Sequence, residues 1–332
     1  MTVSGLFMLS IGLAIFLLGM KLLSSALRVL ADGNLHARLS RAAGHPVQGV
    51  CAGAAMTAVL QSSSALTVFL VGLTGAGALS LEAAAVLLMG ANIGTTLSPW
   101  VLGLLGLSPR GTLLRPELLC PLLALLGLIL LPAKRTKLPG RGLLGLSLLL
   151  WGMHLMQDAA LLMPRLTQLS PDGAHPLRGV LMGTVATGIL QSSAGAVGLL
   201  QALCASGTLS LGSVIPLLIG LNLGTCVTAL LASLGAGTDA RRVAVIHISF
   251  NALGGIFWLA GMKLFSGSGL LCQPSSPVSV AVIHSLFNLS TTVILLPLRR
   301  YLVRLAMILA PGKGRKAAGA SPCPTDLFQG RM

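Results

Sequence analysis

The densest polar chemistry in this chain lies in two short runs. Gln61-Ser62-Ser63-Ser64 recurs as Gln191-Ser192-Ser193, with Ala194 in the fourth place. At a break between two half-helices, serine hydroxyls and a glutamine carboxamide join the unpaired backbone N–H groups of a helix start. The partial positive charge of that start adds to the donors, and the set suits a tetrahedral oxyanion. A second pair is Gly90-Ala91-Asn92-Ile93-Gly94-Thr95-Thr96 and Gly220-Leu221-Asn222-Leu223-Gly224-Thr225-Cys226. Paired glycines are expected to unwind the helix locally in both. The freed carbonyls and the threonine hydroxyls are hard oxygens that suit a small cation such as Na+.

Both pairs belong to one duplication. Residues 45–104 align without gaps on residues 175–234, 130 positions later, with 23 identities in 60. A single Gln-Ser-Ser would read as small polar residues stitching helices together. Two copies at equivalent places read as a site between repeats, the arrangement of a secondary transporter. Upstream, Leu18-Gly19-Met20-Lys21-Leu22 resembles Trp151-Gly152-Met153-His154-Leu155. A third element, His247-Ile-Ser-Phe250-Asn251, recurs as His284-Ser-Leu-Phe287-Asn288. Its spacing puts His and Asn on one helical face, and interhelical hydrogen bonding is its expected role.

The elements that must position these residues are membrane helices. The chain is 54% hydrophobic and 9% charged, with mean hydropathy +0.91, which excludes a soluble domain. Spanning segments are expected at about 4–23, 81–104, 115–132, 142–163, 211–234, 243–262 and 277–298. Segments 47–79 and 177–207 each hold two short apolar pieces around Gln-Ser-Ser, which predicts hairpins that enter and leave on one face. The net charge of +15 follows topology, not nucleic acid. With the N-terminus outside and the C-terminus in the cytoplasm, 17 of the 22 basic residues face the cytoplasm. A polybasic tail also suits an anionic lipid surface. Each repeat then holds three crossings and one hairpin, so the second repeat is inverted relative to the first.

The expected fold is therefore an all-α polytopic membrane protein of two inverted repeats, each with a re-entrant hairpin and a broken helix. The divisions are a first repeat at 1–132, a basic cytoplasmic linker at 133–141, a second repeat at 142–264, an extra span at 265–298 and a basic, disordered tail at 299–332. No secretory signal is read at the N-terminus. The six cysteines are scattered without Cys-x-x-Cys spacing and read as small core residues, neither disulfide nor metal ligands. No Lys or Arg occurs between Arg41 and Arg110, or between Arg178 and Arg241. An anion between the hairpins would have no basic side chain to neutralise it, which predicts coupling to a co-bound cation. Glu82 reads first as a helix N-terminal acid, with cation ligand or proton carrier as the alternative. Asp158 is a weaker candidate, expected to pair with His154.

The paired Gln-Ser-Ser runs, the Gly-Ala-Asn-Ile-Gly-Thr-Thr segment and the His-x-x-Phe-Asn elements resemble the type II sodium/phosphate cotransporter family, over roughly residues 5–298. The resemblance implies phosphate on Gln61, Ser62, Ser63, Ser64, Gln191, Ser192 and Ser193. It implies Na+ on Gln61, Thr67, Asn92, Thr95, Thr96, Gln191, Asn222 and Thr225. Ala194 departs from the family's usual serine, so one hydroxyl is missing. Many bacterial relatives carry a C-terminal helical regulatory domain, and this chain ends before one, so any regulation is expected from a separate protein.

The leading expectation is a sodium-coupled phosphate symporter of the cytoplasmic membrane. It is not an enzyme, and it needs no cofactor beyond Na+ as the coupling ion. Phosphate, Na+ and the bilayer are its partners; nucleic acid is not. The alternatives are phosphate export, another tetrahedral oxyanion or proton coupling. Further off stand a membrane phosphate sensor and an intramembrane serine enzyme, the latter lacking any Gly-x-Ser-x-Gly.

Overall fold

The computed structural model describes residues 3–28, 42–106, 116–161, 175–205, 209–265, 267 and 269–312. Its elements are helical: α1 (Val3–Arg28), α2 (Pro46–Leu60), α3 (Ser63–Gly75), α4 (Leu81–Gly94), α5 (Leu97–Gly106), α6 (Pro116–Leu130), α7 (Lys137–Leu161), α8 (Pro176–Leu190), α9 (Ser193–Ala205), α10 (Leu211–Ser233), α11 (Thr238–Leu264), α12 (Pro277–Leu295) and α13 (Arg299–Leu309). Among the described residues, the only extended pairing is an isolated bridge between Ser210 and Pro274.

Among the described residues, five stretches are long and apolar enough to cross a membrane: Ser4–Leu23, Leu81–Leu104 across α4 and α5, Leu211–Ser233, Thr238–Leu264 and Pro277–Leu295. Leu122, Leu125 and Ile129 of α6, Leu177, Leu181 and Ile189 of α8, and Ile256 and Phe257 of α11 turn outward. Such outward-facing apolar rows suit helices surrounded by lipid.

Glycine contacts set how the helices lie. An ideal Cβ on Gly19 or Gly152 would overlap the backbone of the facing helix, so α1 and α7 approach backbone to backbone. Gly12 meets Gly152 and Gly19 meets Gly145, so the two run antiparallel. Within each copy the first hairpin helix packs parallel to the helix that follows the hairpin. Gly53 sits on Leu87, Gly90 on Val50 and Gly94 on Ala54; in the second copy Gly183 sits on Leu217, Gly220 on Val180 and Gly224 on Thr184. Small residues allow this close approach where lipid supplies no hydrophobic drive between helices.

Three expectations change. The Asn-Gly-Thr segment breaks a helix only in the first copy, where α4 ends at Gly94 and α5 begins at Leu97; α10 runs unbroken from Leu211 to Ser233. The glycines serve packing in both copies, and the break follows a local difference. Pro99 has no N–H to donate back to the Thr95 carbonyl, whereas Ala229 stands at the matching place in α10. The segment from Arg299 is not wholly a disordered tail. Its first part is α13, which buries Leu302, Val303 and Ala306 and packs against α11 and α4. Arg242 Nε donates to Ala310 O at 3.1 Å and fastens the end of α13 to α11. Residues 313–332 lie outside the described residues. Finally, Cys120, Cys204 and Cys226 are buried, but Cys51 and Cys272 are exposed, because each falls on an outward face of its segment.

Candidate functional site

Each Gln-Ser-Ser run forms the same tight reversal. Gln61 and Gln191 take φ 51° and φ 50°, the only non-glycine positive φ values among the described residues. A left-handed residue at a helix C-terminus turns the chain back, at a steric cost for any residue with a Cβ. Each glutamine offsets part of that cost through its own amide. Gln61 Nε2 donates to Ala58 O at 2.7 Å and Gln191 Nε2 to Gly188 O at 2.6 Å, capping carbonyls left open at the helix end. The next serine caps the return helix. Ser62 Oγ accepts from Ala65 N at 3.2 Å and Ser192 Oγ from Gly195 N at 3.1 Å. The first N–H groups of α3 and α9, at Ser63-Ser64 and at Ser193-Ala194, therefore start two short helices at matching turns.

The two turns differ in one restraint. Ser98 Oγ donates to Gln61 Oε1 and holds that side chain against α5. The matching residue of α10, Thr228, spends its hydroxyl on Thr225 O at 2.8 Å, and Gln191 is left exposed.

The Asn-Gly-Thr segments also match. Asn92 and Asn222 are buried, and their amides donate to Leu88 O at 3.1 Å and Leu218 O at 3.0 Å. Thr95 and Thr225 donate to the asparagine carbonyls, both at 2.6 Å, and Thr96 donates to Ile93 O at 2.8 Å. Their hydroxyl hydrogens are thus committed and their lone pairs are free to accept. Asn222 Oδ1 lies 3.3 Å from His284 Nε2, so the third motif does join helices.

Each turn meets the Asn-Gly-Thr segment of its own copy: Gly94 packs on Thr57 and Gly224 on Thr187. Contact across the copies runs through the return helices, α3 against α10 and α9 against α5. No hydrogen bond joins the two turns directly among the described residues. Thr67 of α3 is fully buried with an unpartnered hydroxyl. The sequence reading missed two similar groups. Thr57 and Thr187 are buried, their hydroxyls have no partner, and they sit one turn before the glutamines. Their signal was available, since threonine at this place is one of the 23 identities. It also missed Gln201 of α9, fully buried, whose amide donates to Pro99 O and Pro277 O, both at 2.8 Å. That residue fastens the second return helix to α5 and α12.

Glu82 and Asp158 lie apart from this interior. Glu82 is half exposed in the first turn of α4, and Arg300 Nε approaches it at 4.0 Å. Asp158 is 3.7 Å from His154 Nε2 on an exposed face of α7, the pairing the spacing predicts. Exposed pairs of this kind contribute about 0–1 kcal/mol. The interior thus offers amide and hydroxyl donors at two helix starts, carbonyl and hydroxyl acceptors beside them, and no basic side chain on α2–α5 or α9–α10.

Apolar helices long enough to cross a bilayer, with a duplicated polar interior, define a helical membrane protein of the transporter class. Residues 15–158 and 165–284 match the sequence model of the Na+/Pi-cotransporter family, and the chain belongs to that family. It is 28% identical over 304 residues to YqeW of Bacillus subtilis (strain 168), an uncharacterized protein; the match covers 90% of this chain and 96% of YqeW. It is 28% identical over 292 residues to YjbB of Escherichia coli (strain K12), provisionally named for inorganic phosphate export. That match covers 86% of this chain and 52% of YjbB, so the chain spans about half the length of that relative. Human sodium-dependent phosphate transport protein 2C is 42% identical over 83 residues, 24% of this chain and 14% of that protein. No solved structure matches.

Proposed function

We propose that this chain is a sodium-coupled symporter of inorganic phosphate in the cytoplasmic membrane, with two inverted repeats and phosphate held between two re-entrant turns. The observation that carries this reading is the matched pair of left-handed Gln caps followed by Ser-started return helices. Phosphate takes its hydrogen bonds from Ser62, Ser63, Ser64, Gln61 and their counterparts Gln191, Ser192 and Ser193. Na+ takes oxygens from Gln61, Thr67, Asn92, Thr95, Thr96, Gln191, Asn222 and Thr225, and supplies the positive charge that no side chain there provides.

Helix lengths and directions support the topology. At 1.5 Å per residue, α2 with 15 residues is about 22 Å long, short of a hydrocarbon core of about 30 Å. Gln61 meets Ser98, inside the apolar Leu81–Leu104 stretch, and this contact supports a turn that reverses within the bilayer. The antiparallel α1 and α7, the parallel α2 and α4, and the parallel α8 and α10 suit three crossings and one hairpin per repeat, and the outside N-terminus rests on the asymmetry of the basic residues. The repeats keep the divisions 1–132 and 142–264, joined by 133–141 and followed by the span at 265–298. Alternating access then moves the hairpin bundle against a scaffold that includes the glycine-packed pair of α1 and α7. No cofactor enters beyond the coupling ion.

The test is radiolabelled phosphate uptake into proteoliposomes under an inward Na+ gradient, compared with an equal K+ gradient. Na+-dependent uptake that falls at least 100-fold in Gln61→Ala and in Gln191→Ala is expected. Uptake indifferent to Na+ rejects sodium coupling and makes Glu82 the next candidate carrier. The provisional naming of the E. coli relative favours export as the second reading, with the same site run by the opposite gradient.

A further inference from the structure

The His-x-x-Phe-Asn elements hold more than a helix joint. Asn251 and Asn288 are fully buried in α11 and α12. Asn251 Nδ2 donates to His247 O at 3.1 Å and to Cys226 Sγ at 3.4 Å; Asn288 Nδ2 donates to His284 O at 3.0 Å. A carbonyl can only accept, so these bonds orient both carboxamides and leave each Oδ1 without a partner. His284 is placed the same way. Asn222 Oδ1 accepts, so Nε2 carries the proton, and the unpartnered Nδ1 is an acceptor. The Thr291 hydroxyl, also buried, has no partner.

These residues lie where α10, α11 and α12 meet. Thr291 sits against Gly254, and each is three residues beyond an asparagine, Thr291 after Asn288 and Gly254 after Asn251. Residues three apart are neighbours on a helix face. Cys226 and Asn222, four apart on α10, touch Asn251 and His284 and close the third side. A dry seam would leave four acceptors desolvated without compensation, which buried polar groups in a membrane rarely tolerate. The amide donors there are spent, and among these groups only the Thr291 hydroxyl still carries a hydrogen, so acceptors outnumber donors and an electropositive guest suits them. These seam residues include no carboxylate, and no group of three His, Cys, Asp or Glu that could hold a metal occurs among the described residues, which argues against a divalent transition metal.

We infer that the α10–α11–α12 seam is a monovalent cation site, separate from the Gln-Ser-Ser turns, in which Asn251 Oδ1, Asn288 Oδ1 and Thr291 Oγ1 ligate Na+. Only the identity of the ion rests on the sodium-coupled reading above; the acceptor lining stands without it. The site is tied to the first set of candidates through Asn222, whose own oxygen holds His284.

The experiment follows thermal unfolding of the purified full chain, without phosphate, as NaCl replaces choline chloride at constant ionic strength. Wild-type protein is expected to gain stability with Na+ by mass action. Thr291→Val and Asn288→Leu, close in shape to the residues they replace, should need at least 10-fold more Na+ for the same gain. Their melting temperature in choline should be no lower. Asn288→Asp adds a charge and should reduce the Na+ requirement at least several-fold, so it decides the matter if either apolar variant fails to fold. A wild-type protein indifferent to Na+, or variants that keep the wild-type Na+ midpoint, would overturn the inference and leave the seam a water site. Loss of transport with this Na+ response intact would count against the symporter reading alone.

Discussion

Gln61 and Gln191 adopt a conformation that glycine enters more easily than any residue with a side chain. The left-handed region costs a residue with a Cβ about 1–2 kcal/mol, and each glutamine recovers some of this by capping its own helix. If the turn were only a reversal, glycine would serve. Gln61→Gly should therefore melt within about 1 kcal/mol of wild type while phosphate uptake is abolished. Retained uptake in that variant would reduce the glutamine to a cap. The comparison separates stability from function at one residue, and thermal melts beside uptake on the same preparation provide it. The same logic marks Thr57 and Thr187, which packing alone could fill with valine and which nonetheless keep unpartnered hydroxyls in both copies.

Helix contacts explain most of the glycine in the duplicated region. At Gly90 and Gly220 a Cβ would overlap the Val50 and Val180 carbonyl oxygens, and neither backbone has room to move. Gly90→Ala and Gly220→Ala should each destabilise the protein by about 1–3 kcal/mol, the usual cost of overpacking. Gly72 and Gly261 meet nothing within 4 Å, so alanine there should be neutral or stabilising by up to about 1 kcal/mol. Equal melting shifts at all four positions would remove the packing account. The expectation of two unwound segments failed for this reason. Glycine lowers helix propensity, but a facing carbonyl and close van der Waals contact hold α10 helical, and only Pro99 breaks its counterpart.

Taken together, the helices form two copies whose return helices cross into each other, α3 onto α10 and α9 onto α5. In the proposed topology the two turns open toward opposite sides of the bilayer. Single cysteines at Ser63 and Ser193, in a chain whose other cysteines are replaced, should react with an impermeant maleimide from opposite faces of oriented vesicles. Labelling of both from one face would reject the inverted arrangement, whatever the transported ion.

The duplication, the apolar class, the helix breaks at Gln61 and Gln191 and the family resemblance were all legible in residue order. Each depends on residue type and spacing along the chain, and a 60-residue alignment of the chain with itself displays them directly. Thr57 and Thr187 are among its identities too. The remainder belongs to contacts between residues far apart. Ser98 restrains Gln61 and not its twin, Gln201 joins α9 to two other helices, and α13 becomes a packed helix only because α4 and α11 lie beneath it. The seam of unspent acceptors among Asn251, Asn288 and Thr291 likewise emerges only when three helices meet. Spacing along one helix shows which side chains share a face. Whether a polar atom on that face finds a partner is decided by the helix opposite.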